Sequence, residues 1–183
     1  MYEAAQKVKI LDKQFEIAYS YAELQSTISE MANKINNDYK DKDITFLIVL
    51  KGAMPFAVDL MKSINNNCIV ETISAKSYGN EMESSGTVQI FPENLDVKNK
   101  EVVILEDIVD TGRTLKALKE KLWEQKPKSV EIATLFSKPA QRVVEIDVKY
   151  IGIEIPPIFI VGYGLDYAEQ GRQLPAVYQL SMD

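Results

Sequence analysis

The sequence predicts a single α/β domain built around a mostly parallel β-sheet, with extra antiparallel strands contributed near the ends of the chain. Apolar stripes at helical spacing alternate with short runs rich in β-branched residues, a pattern typical of a sheet covered by helices. The runs at 44–50 and 101–106 are largely apolar without alternation, which indicates strands buried on both faces. A length of 183 residues suits one hydrophobic core.

The predicted elements follow one another from the first capped helix to the last strand. Ser20 can cap a helix in which Leu24, Ile28 and Ile35 form one apolar stripe. The polar stretch 79–86 is bounded by glycines and predicts a mobile loop between two strands. Further helices are predicted at 55–64 and 115–123, and strands at 44–50, 68–77, 88–91, 101–106, 130–136, 150–153, 159–163 and 176–180.

The composition excludes several classes of protein. The chain contains no histidine, which rules out a Ser–His or Cys–His nucleophile, a His-ligated zinc and imidazole acid–base chemistry. A formal charge of −6 argues against binding nucleic acid through overall charge. Cys68 is the only cysteine and cannot form an internal disulfide, which suits a reducing compartment. Since neither a targeting segment nor a bilayer-length apolar run is present, we expect a cytoplasmic protein without membrane or nucleic-acid partners.

The most informative segment is VVILEDIVDTGRTL at 102–115. A buried strand leads into the carboxylate pair, Glu106 and Asp107, then comes Asp110, and small polar residues open a helix. Ligands of parallel α/β sheets bind at the carboxyl ends of strands, and a helix N-terminus preceded by glycine offers free N–H groups to a phosphate. The carboxylate pair suits sugar hydroxyls, a metal ion or both. Together, the two halves of the segment indicate a ribose 5-phosphate.

Simpler explanations exist for each part of this segment. Thr and Asp beside a helix start are often only caps, and two acids at a strand end are often only solvated. The segment has neither the spacing of a Walker loop nor a Gly-x-Gly-x-x-Gly dinucleotide fingerprint. The complete pattern, an apolar strand followed by Glu-Asp-x-x-Asp-Thr-Gly-x-Thr, is much more specific than its parts.

That pattern resembles the phosphoribosyl-pyrophosphate signature of the type I phosphoribosyltransferases. Four further blocks narrow the resemblance to the hypoxanthine(-guanine) phosphoribosyltransferase family, which serves 6-oxopurine salvage. The resemblance implies a single domain at 1–183, with a parallel sheet flanked by helices and a small hood formed from the N-terminal segment and about 150–183. The four blocks are VLKGAMPFAVDL (49–60), AKSYGNEMESSGTVQI (75–90), LFSKPAQR (135–142) and FIVGYGLDYAEQGRQLP (159–175).

The implied reaction transfers a 5-phosphoribosyl group from phosphoribosyl pyrophosphate to hypoxanthine or guanine, giving IMP or GMP and pyrophosphate. By this resemblance, the carboxylate pair binds the ribose hydroxyls, and Asp110 acts as general base or proton relay to the purine. The 5-phosphate is expected on the turn that opens the following helix, where Arg113 either adds positive charge or points to solvent. That turn consists of Thr111, Gly112, Arg113 and Thr114.

Pyrophosphate is expected to contact Lys51, Gly52 and Arg172, whose guanidinium suits a bidentate interaction. The resemblance also implies a cis peptide bond between Leu50 and Lys51. Mg²⁺ is the implied ion, because it can bridge pyrophosphate oxygens. Asp166 is expected to hold it, with the carboxylate pair contacting either the metal or only the ribose hydroxyls. We expect little Mg²⁺ binding to the empty protein.

The purine is expected to contact Lys138, Phe159 and Ile160. Lys138 would donate to the six-position oxygen and so disfavour adenine, whose amino group would face an ammonium. Phe159 would stack on the base and Ile160 would offer backbone groups to its edge, although both residues are by themselves typical of a strand core. Ser77 and Tyr78 match the start of a loop that would close over the site and exclude water.

Two other interpretations remain open on the sequence. A nucleotide-sensing regulator with the same fold would need a basic face or a DNA-binding segment, and the acidic chain shows neither. An enzyme that prefers xanthine or guanine is also compatible, because all of these bases share the oxygen assigned to Lys138. Assembly as a homodimer or homotetramer is expected from the resemblance alone.

Overall fold

The computed structural model describes residues 4–77, 88–91 and 95–181, which form two β-sheets and their covering helices. In chain order the elements are β1 (Lys7–Ile10), β2 (Lys13–Tyr19), α1 (Tyr21–Asp38), β3 (Ile44–Leu50), α2 (Met54–Met61), β4 (Cys68–Ser77), β5 (Val88–Phe91), β6 (Glu101–Val109), α3 (Arg113–Trp123), β7 (Ser129–Ser137), a 3-10 helix (Pro139–Gln141), β8 (Tyr150–Glu154), β9 (Ile160–Val161) and β10 (Val177–Leu180).

The larger sheet has six strands in the order β5-β4-β3-β6-β7-β8, and only the β4–β5 pair is antiparallel. Successive side chains of a strand point to opposite faces, so the central strands serve two cores. Phe46 and Ile48 of β3 pack with α1 and α2, whereas Leu47 and Val49 pack with α3. The predicted α/β fold with a mostly parallel sheet is therefore confirmed.

The first helix begins where the sequence predicts it. Glu23 N donates to Ser20 Oγ over 3.3 Å, and Ser20 N donates to Glu23 Oε2 over 2.7 Å, which together form a capping box. The stripe of Leu24, Ile28 and Ile35 is buried, as expected. Of the helices that the structure describes, none is both long and apolar enough to cross a bilayer.

The smaller sheet joins the two ends of the chain in the antiparallel order β1-β2-β10-β9. Phe15, Val161 and Tyr178 fill its own small core. The hairpin of β1 and β2 is not among the predicted strands, although its charged and apolar residues alternate. The C-terminal strands of this sheet are β9 and β10, whereas β8 pairs with β7 in the larger sheet.

Candidate active site

A cavity of about 290 Å³ opens at the carboxyl edge of the larger sheet. The pairing of β3 with β6 stops at Leu105, while β6 continues beside β7 as far as Val109. The strand predicted to end at Glu106 therefore runs three residues further, and the cavity lies where β3 has separated from it. Its lining consists of Val49, Leu50, Gly52, residues 106–112, Thr114 and Leu115.

The carboxylate pair lies in this cavity against the turn after β3. A Cβ atom placed on Gly52 would overlap Asp107 Oδ2, so the present position of that carboxylate requires glycine at residue 52. Burial, followed by the charge of Asp107, raises the pKa of Glu106. Hydroxyl donors or a cation bound here would therefore favour the ionised form of Glu106.

The N-terminus of α3 faces the same cavity. Gly112 precedes it with a φ of +81°, a left-handed conformation that favours glycine, and supplies no capping side chain. Arg113 N lies 3.5 Å from Thr111 Oγ1, at the limit of a hydrogen bond, while the Arg113 side chain is exposed. The first-turn N–H groups and the positive end of the helix dipole are therefore suited to an anion, with Thr114 beside them in the cavity wall.

Asp110 and Lys138 meet beside this turn, although 28 positions separate them in the chain. Lys138 Nζ lies 3.6 Å from Asp110 Oδ1, and Lys138 is only 7% exposed. Lys138 N also donates to Val109 O over 3.0 Å, which fixes the backbone after β7. Asp110 Oδ1 is buried and has no hydrogen-bond partner among the described residues. The structure thus brings together the predicted proton acceptor and the predicted purine-recognition residue.

Arg142 is a site residue that the sequence analysis did not single out. Its Nη2 donates to Ser137 Oγ over 3.0 Å, while its Nη1 is buried and lacks a hydrogen-bond partner within the described part of the chain. Burial lowers the pKa of the guanidinium, and the charge of Asp110 opposes that shift. The signal was present in the LFSKPAQR block, where Arg142 follows Lys138 by four positions.

A turn of the C-terminal segment packs against the loop after β3, which contributes to the cavity lining. A Cβ atom on Gly164 would lie 2.0 Å from Gly52 O, so this turn packs directly on the loop after β3. Its neighbour Tyr163 has a φ of +49° and donates from its hydroxyl to Asp59 Oδ2 over 2.6 Å. The sequence analysis also missed this contact with α2, because the Gly-Tyr-Gly segment carries no pattern that identifies Asp59 as the partner.

A charged cluster lies beside that turn and consists of Arg172, Asp166 and Lys51. Arg172 Nη1 donates to Gly164 O over 2.9 Å, and Arg172 Nη2 lies 2.8 Å from Asp166 Oδ1. Arg172 Nε is buried without a hydrogen-bond partner among the described residues. Lys51 Nζ lies 2.7 Å from Glu169 Oε2, so an ion pair links the loop after β3 to the C-terminal segment. The Leu50–Lys51 peptide bond is cis, which confirms the expectation.

Ile160 lies on the smaller sheet and Phe159 directly precedes it, and neither lines the 290 Å³ cavity. Ile160 begins β9 and is 5% exposed. Phe159 is 45% exposed, and its ring contacts those of Phe15 and Tyr167 at centroid distances of 6.3 and 5.9 Å. An exposed ring on one side and packed aromatic neighbours on the other are compatible with stacking on a base.

Of the two residues assigned to the closing loop, Ser77 ends β4, where its backbone is paired with Val88 of β5. Tyr78 and the stretch 79–86 lie outside the described residues.

Known proteins are similar to this chain in both sequence and architecture. Residues 20–168 match the phosphoribosyl transferase domain. The chain is 40% identical over 168 residues to the hypoxanthine-guanine phosphoribosyltransferase of Staphylococcus epidermidis, covering 91% of this chain and 94% of that protein. It is 42% identical over 170 residues to the protein of the same name from Dictyostelium discoideum, with coverage of 90% and 94%.

The solved structures agree with this result. A hypoxanthine-guanine phosphoribosyltransferase from Bacillus anthracis is 38% identical with a TM-score of 0.86, covering 91% of this chain and 98% of that one. A hypoxanthine phosphoribosyltransferase from Staphylococcus aureus is 38% identical with a TM-score of 0.87, covering 91% of each chain. Sequence, domain and fold therefore agree, and the chain belongs to the hypoxanthine-guanine phosphoribosyltransferase branch of the type I phosphoribosyltransferase family.

Proposed function

We propose that the chain is a purine-salvage enzyme that transfers the 5-phosphoribosyl group of phosphoribosyl pyrophosphate to hypoxanthine or guanine, with IMP or GMP and pyrophosphate as products. One observation carries the proposal beyond family membership. Among the described residues, the buried side-chain atoms without a hydrogen-bond partner are Asp110 Oδ1, Arg142 Nη1 and Arg172 Nε. Buried polar groups normally have partners, so the unpaired Asp110 Oδ1, with one cationic donor beside it and a second beside the turn that packs on Gly52, indicates a ligand that is both anionic and able to donate.

The phosphoribosyl group fits the two halves of the cavity. The turn at 111–114 offers backbone N–H groups to the 5-phosphate, and the carboxylate pair offers acceptors to the ribose hydroxyls. Breaking the bond to pyrophosphate leaves a ribosyl group with oxocarbenium character. The negative charge of the pair lies where it would stabilise that developing positive charge.

The purine fits the pair of Asp110 and Lys138. On a 6-oxopurine, the six-position oxygen and the nearer imidazole nitrogen are neighbours on one edge. Nζ of Lys138 and Oδ1 of Asp110 are 3.6 Å apart, which suits simultaneous contact with those two atoms. Asp110 would accept the imidazole proton, and Lys138 would donate to the oxygen. Phe159 and Ile160 would hold the ring from the smaller sheet.

Mg²⁺ fits the donor atoms at this site. Carboxylate oxygens are the ligands it prefers, and a bound cation would oppose the rise in the pKa of Glu106 that burial and the charge of Asp107 cause. Asp166 is the further candidate ligand, with its carboxylate now shared between Arg172 and Glu169 N. The described residues contain no cluster of three or more metal-ligating side chains, so the ion would bind together with substrate phosphates. When bound, it would stabilise the charge of departing pyrophosphate.

We also propose a cytoplasmic homodimer or homotetramer. The free thiol of Cys68 is exposed, as suits a reducing compartment. Met54 and Val58 lie one turn apart on α2 and are 54% and 44% exposed, which supports an apolar contact with another copy. Light scattering on the purified protein tests the assembly state, and a monomeric mass would contradict the proposal.

The direct test is an activity assay with phosphoribosyl pyrophosphate and Mg²⁺, in which hypoxanthine, guanine, xanthine and adenine are offered separately. We expect turnover with hypoxanthine or guanine and none with adenine. Lys138→Gln should lower the preference for hypoxanthine over adenine, because an amide can also accept from an amino group. Lys128→Gln, an exposed lysine outside the cavity lining, is the control.

Three outcomes of the assay separate the alternatives. Activity with xanthine would favour a xanthine- or guanine-preferring enzyme and direct attention to contacts at the two-position. A folded protein that binds phosphoribosyl pyrophosphate but converts no base would favour the nucleotide-sensing regulator. Strong activity with adenine would contradict the role of Lys138.

A further inference from the structure

The carboxylate of Glu169 lies between the two cationic side chains that are expected to bind pyrophosphate. Its Oε2 is 2.7 Å from Lys51 Nζ, and its Oε1 is 3.3 Å from Arg172 Nη2. One carboxylate thus contacts both cations, each through a different oxygen, as a phosphoryl group would. The proposed function uses Lys51 and Arg172 but gives Glu169 no role.

The turn that carries Glu169 is held in an unusual conformation. Ala168 and Glu169 have φ values of +50° and +63°, in the left-handed region that non-glycine residues rarely adopt. Glu169 N donates to Asp166 Oδ2 over 2.8 Å, and Tyr167 pairs with Gln170 through a β-bridge. These contacts direct the carboxylate toward Lys51, which is 118 positions away in the chain.

The contact is charged but accessible to solvent. The side chains of Lys51 and Glu169 are 68% and 67% exposed, whereas that of Arg172 is 25% exposed. The hydrogen bond and charge of Lys51, followed by the charge of Arg172, lower the pKa of Glu169, so the carboxylate is ionised at neutral pH. Exposed ion pairs of this kind are weak and readily exchange partners. An anion with more charge than one carboxylate can therefore displace Glu169.

We propose that Glu169 is an internal competitor of pyrophosphate. In the free protein its carboxylate occupies Lys51 and Arg172, it leaves them when a pyrophosphate group binds, and it returns when that group departs. The proposal rests on the proposed function, because it assigns pyrophosphate to those two cations. Competition by Glu169 makes pyrophosphate bind more weakly than it would to the two cations alone. The competition therefore favours release of pyrophosphate as product.

Isothermal titration calorimetry with Mg²⁺ and pyrophosphate tests the proposal on the intact chain. Glu169→Gln keeps the size of the side chain and removes its charge, so we expect about two- to fivefold tighter pyrophosphate binding. Because exposed charges are screened by salt, the difference should shrink between about 0.05 M and about 0.5 M salt. Glu124→Gln removes the same charge from an exposed position after α3 and should bind like the wild type.

Equal or weaker pyrophosphate binding by Glu169→Gln would overturn the proposal, and weaker binding would instead indicate that Glu169 positions Arg172. Glu169→Ala is the second variant, and its melting temperature shows whether the turn still folds. Wild-type protein that binds no pyrophosphate would overturn the competition as well. The proposed function fails by a different result, the absence of transfer to any purine by the wild type. The two failures are therefore distinguishable.

Discussion

Asp110 is the residue on which the proposed proton transfer depends. The chain has no histidine, so a carboxylate must accept the proton from the purine. Its Oδ1 is buried without a hydrogen-bond partner among the described residues and lies 3.6 Å from the Lys138 ammonium. An acceptor oxygen that is buried and has no hydrogen bond within the described part of the chain is suited to a proton delivered by a ligand.

Asp110→Asn should lower kcat by about 10- to 10⁴-fold, the range of general acid–base catalysis, because an amide oxygen does not take up the proton. The measurement is kcat at saturating hypoxanthine and phosphoribosyl pyrophosphate. Asp147→Asn, an exposed aspartate outside the cavity lining, is the control and should keep wild-type turnover. Unchanged kcat in Asp110→Asn would remove its assignment as the base.

Gly52 and Gly152 show how the same substitution acts on function at one place and on stability at another. An alanine Cβ at Gly52 would collide with the carboxylate end of Asp107, which can rotate away, whereas at Gly152 it would lie 2.6 Å from Leu135 O in the backbone. Gly52→Ala should therefore fold but raise KM for phosphoribosyl pyrophosphate about 10- to 100-fold, since the ribose contact is misplaced. Gly152→Ala should lose about 1–3 kcal/mol of stability.

Both variants are compared by urea denaturation and by steady-state kinetics. We expect KM for phosphoribosyl pyrophosphate to change only in Gly52→Ala, and the free energy of unfolding to change mainly in Gly152→Ala. A wild-type KM in Gly52→Ala would contradict the role given to Asp107.

At the scale of elements, Tyr163 connects the turn over Gly52 to the helices on one face of the larger sheet. Its hydroxyl donates to Asp59 Oδ2 over 2.6 Å and accepts from Gln25 Nε2 over 3.2 Å. Burial, followed by the contact with Asp59, raises the pKa of Tyr163, so the hydroxyl remains a donor throughout the physiological range. The turn is thus attached to both α1 and α2.

Tyr163→Phe should lower the free energy of unfolding by about 1.5–3 kcal/mol, because a hydrogen bond to a charged, largely buried carboxylate is lost. KM for phosphoribosyl pyrophosphate should rise as well, since the turn that packs on Gly52 loses its anchor. The control is Tyr178→Phe, which removes a hydroxyl from a side chain in the core of the smaller sheet. Equal stabilities of the two variants would show that the contact with Asp59 contributes nothing.

Elements with a strong local pattern were predictable, and weaker ones were not. Burial on both faces made β3 recognisable as an apolar run, and the capping box marked the start of α1. The end of β6 was misplaced, because Ile108 and Val109 remain paired to β7 after β3 has diverged. The additional length of β6 depends on its pairing with β7 and not on the identity of its own residues. The strand predicted at 159–163 was correct in place but too long, because only Ile160–Val161 pair with β10.

For the whole molecule, we expect the metal and the substrate to stabilise the fold only in combination. Mg²⁺ alone should leave the melting temperature nearly unchanged, because the described residues include no cluster of three or more metal-ligating side chains. Mg²⁺ with phosphoribosyl pyrophosphate at about 100 times its Kd should add about 2.7 kcal/mol. In a chain of this size, that corresponds to about 5–10 °C.

Differential scanning fluorimetry measures both shifts, with Mg²⁺ and hypoxanthine as the control mixture. A large shift with Mg²⁺ alone would show a preformed metal site and contradict the expectation. A chelator should abolish the shift of the combined mixture while leaving the free protein at its original melting temperature.

The sequence by itself determined the fold class, the family and the local chemistry of 106–114, because these depend on periodicity and on residues adjacent in the chain. Tertiary structure alone decided that Arg142 lies beside Asp110, that Gly164 packs on Gly52, and that Glu169 occupies Lys51 and Arg172. The segments that meet there are separated by as many as 118 positions. No local pattern encodes such contacts, since they arise only when segments distant in the chain pack against one another.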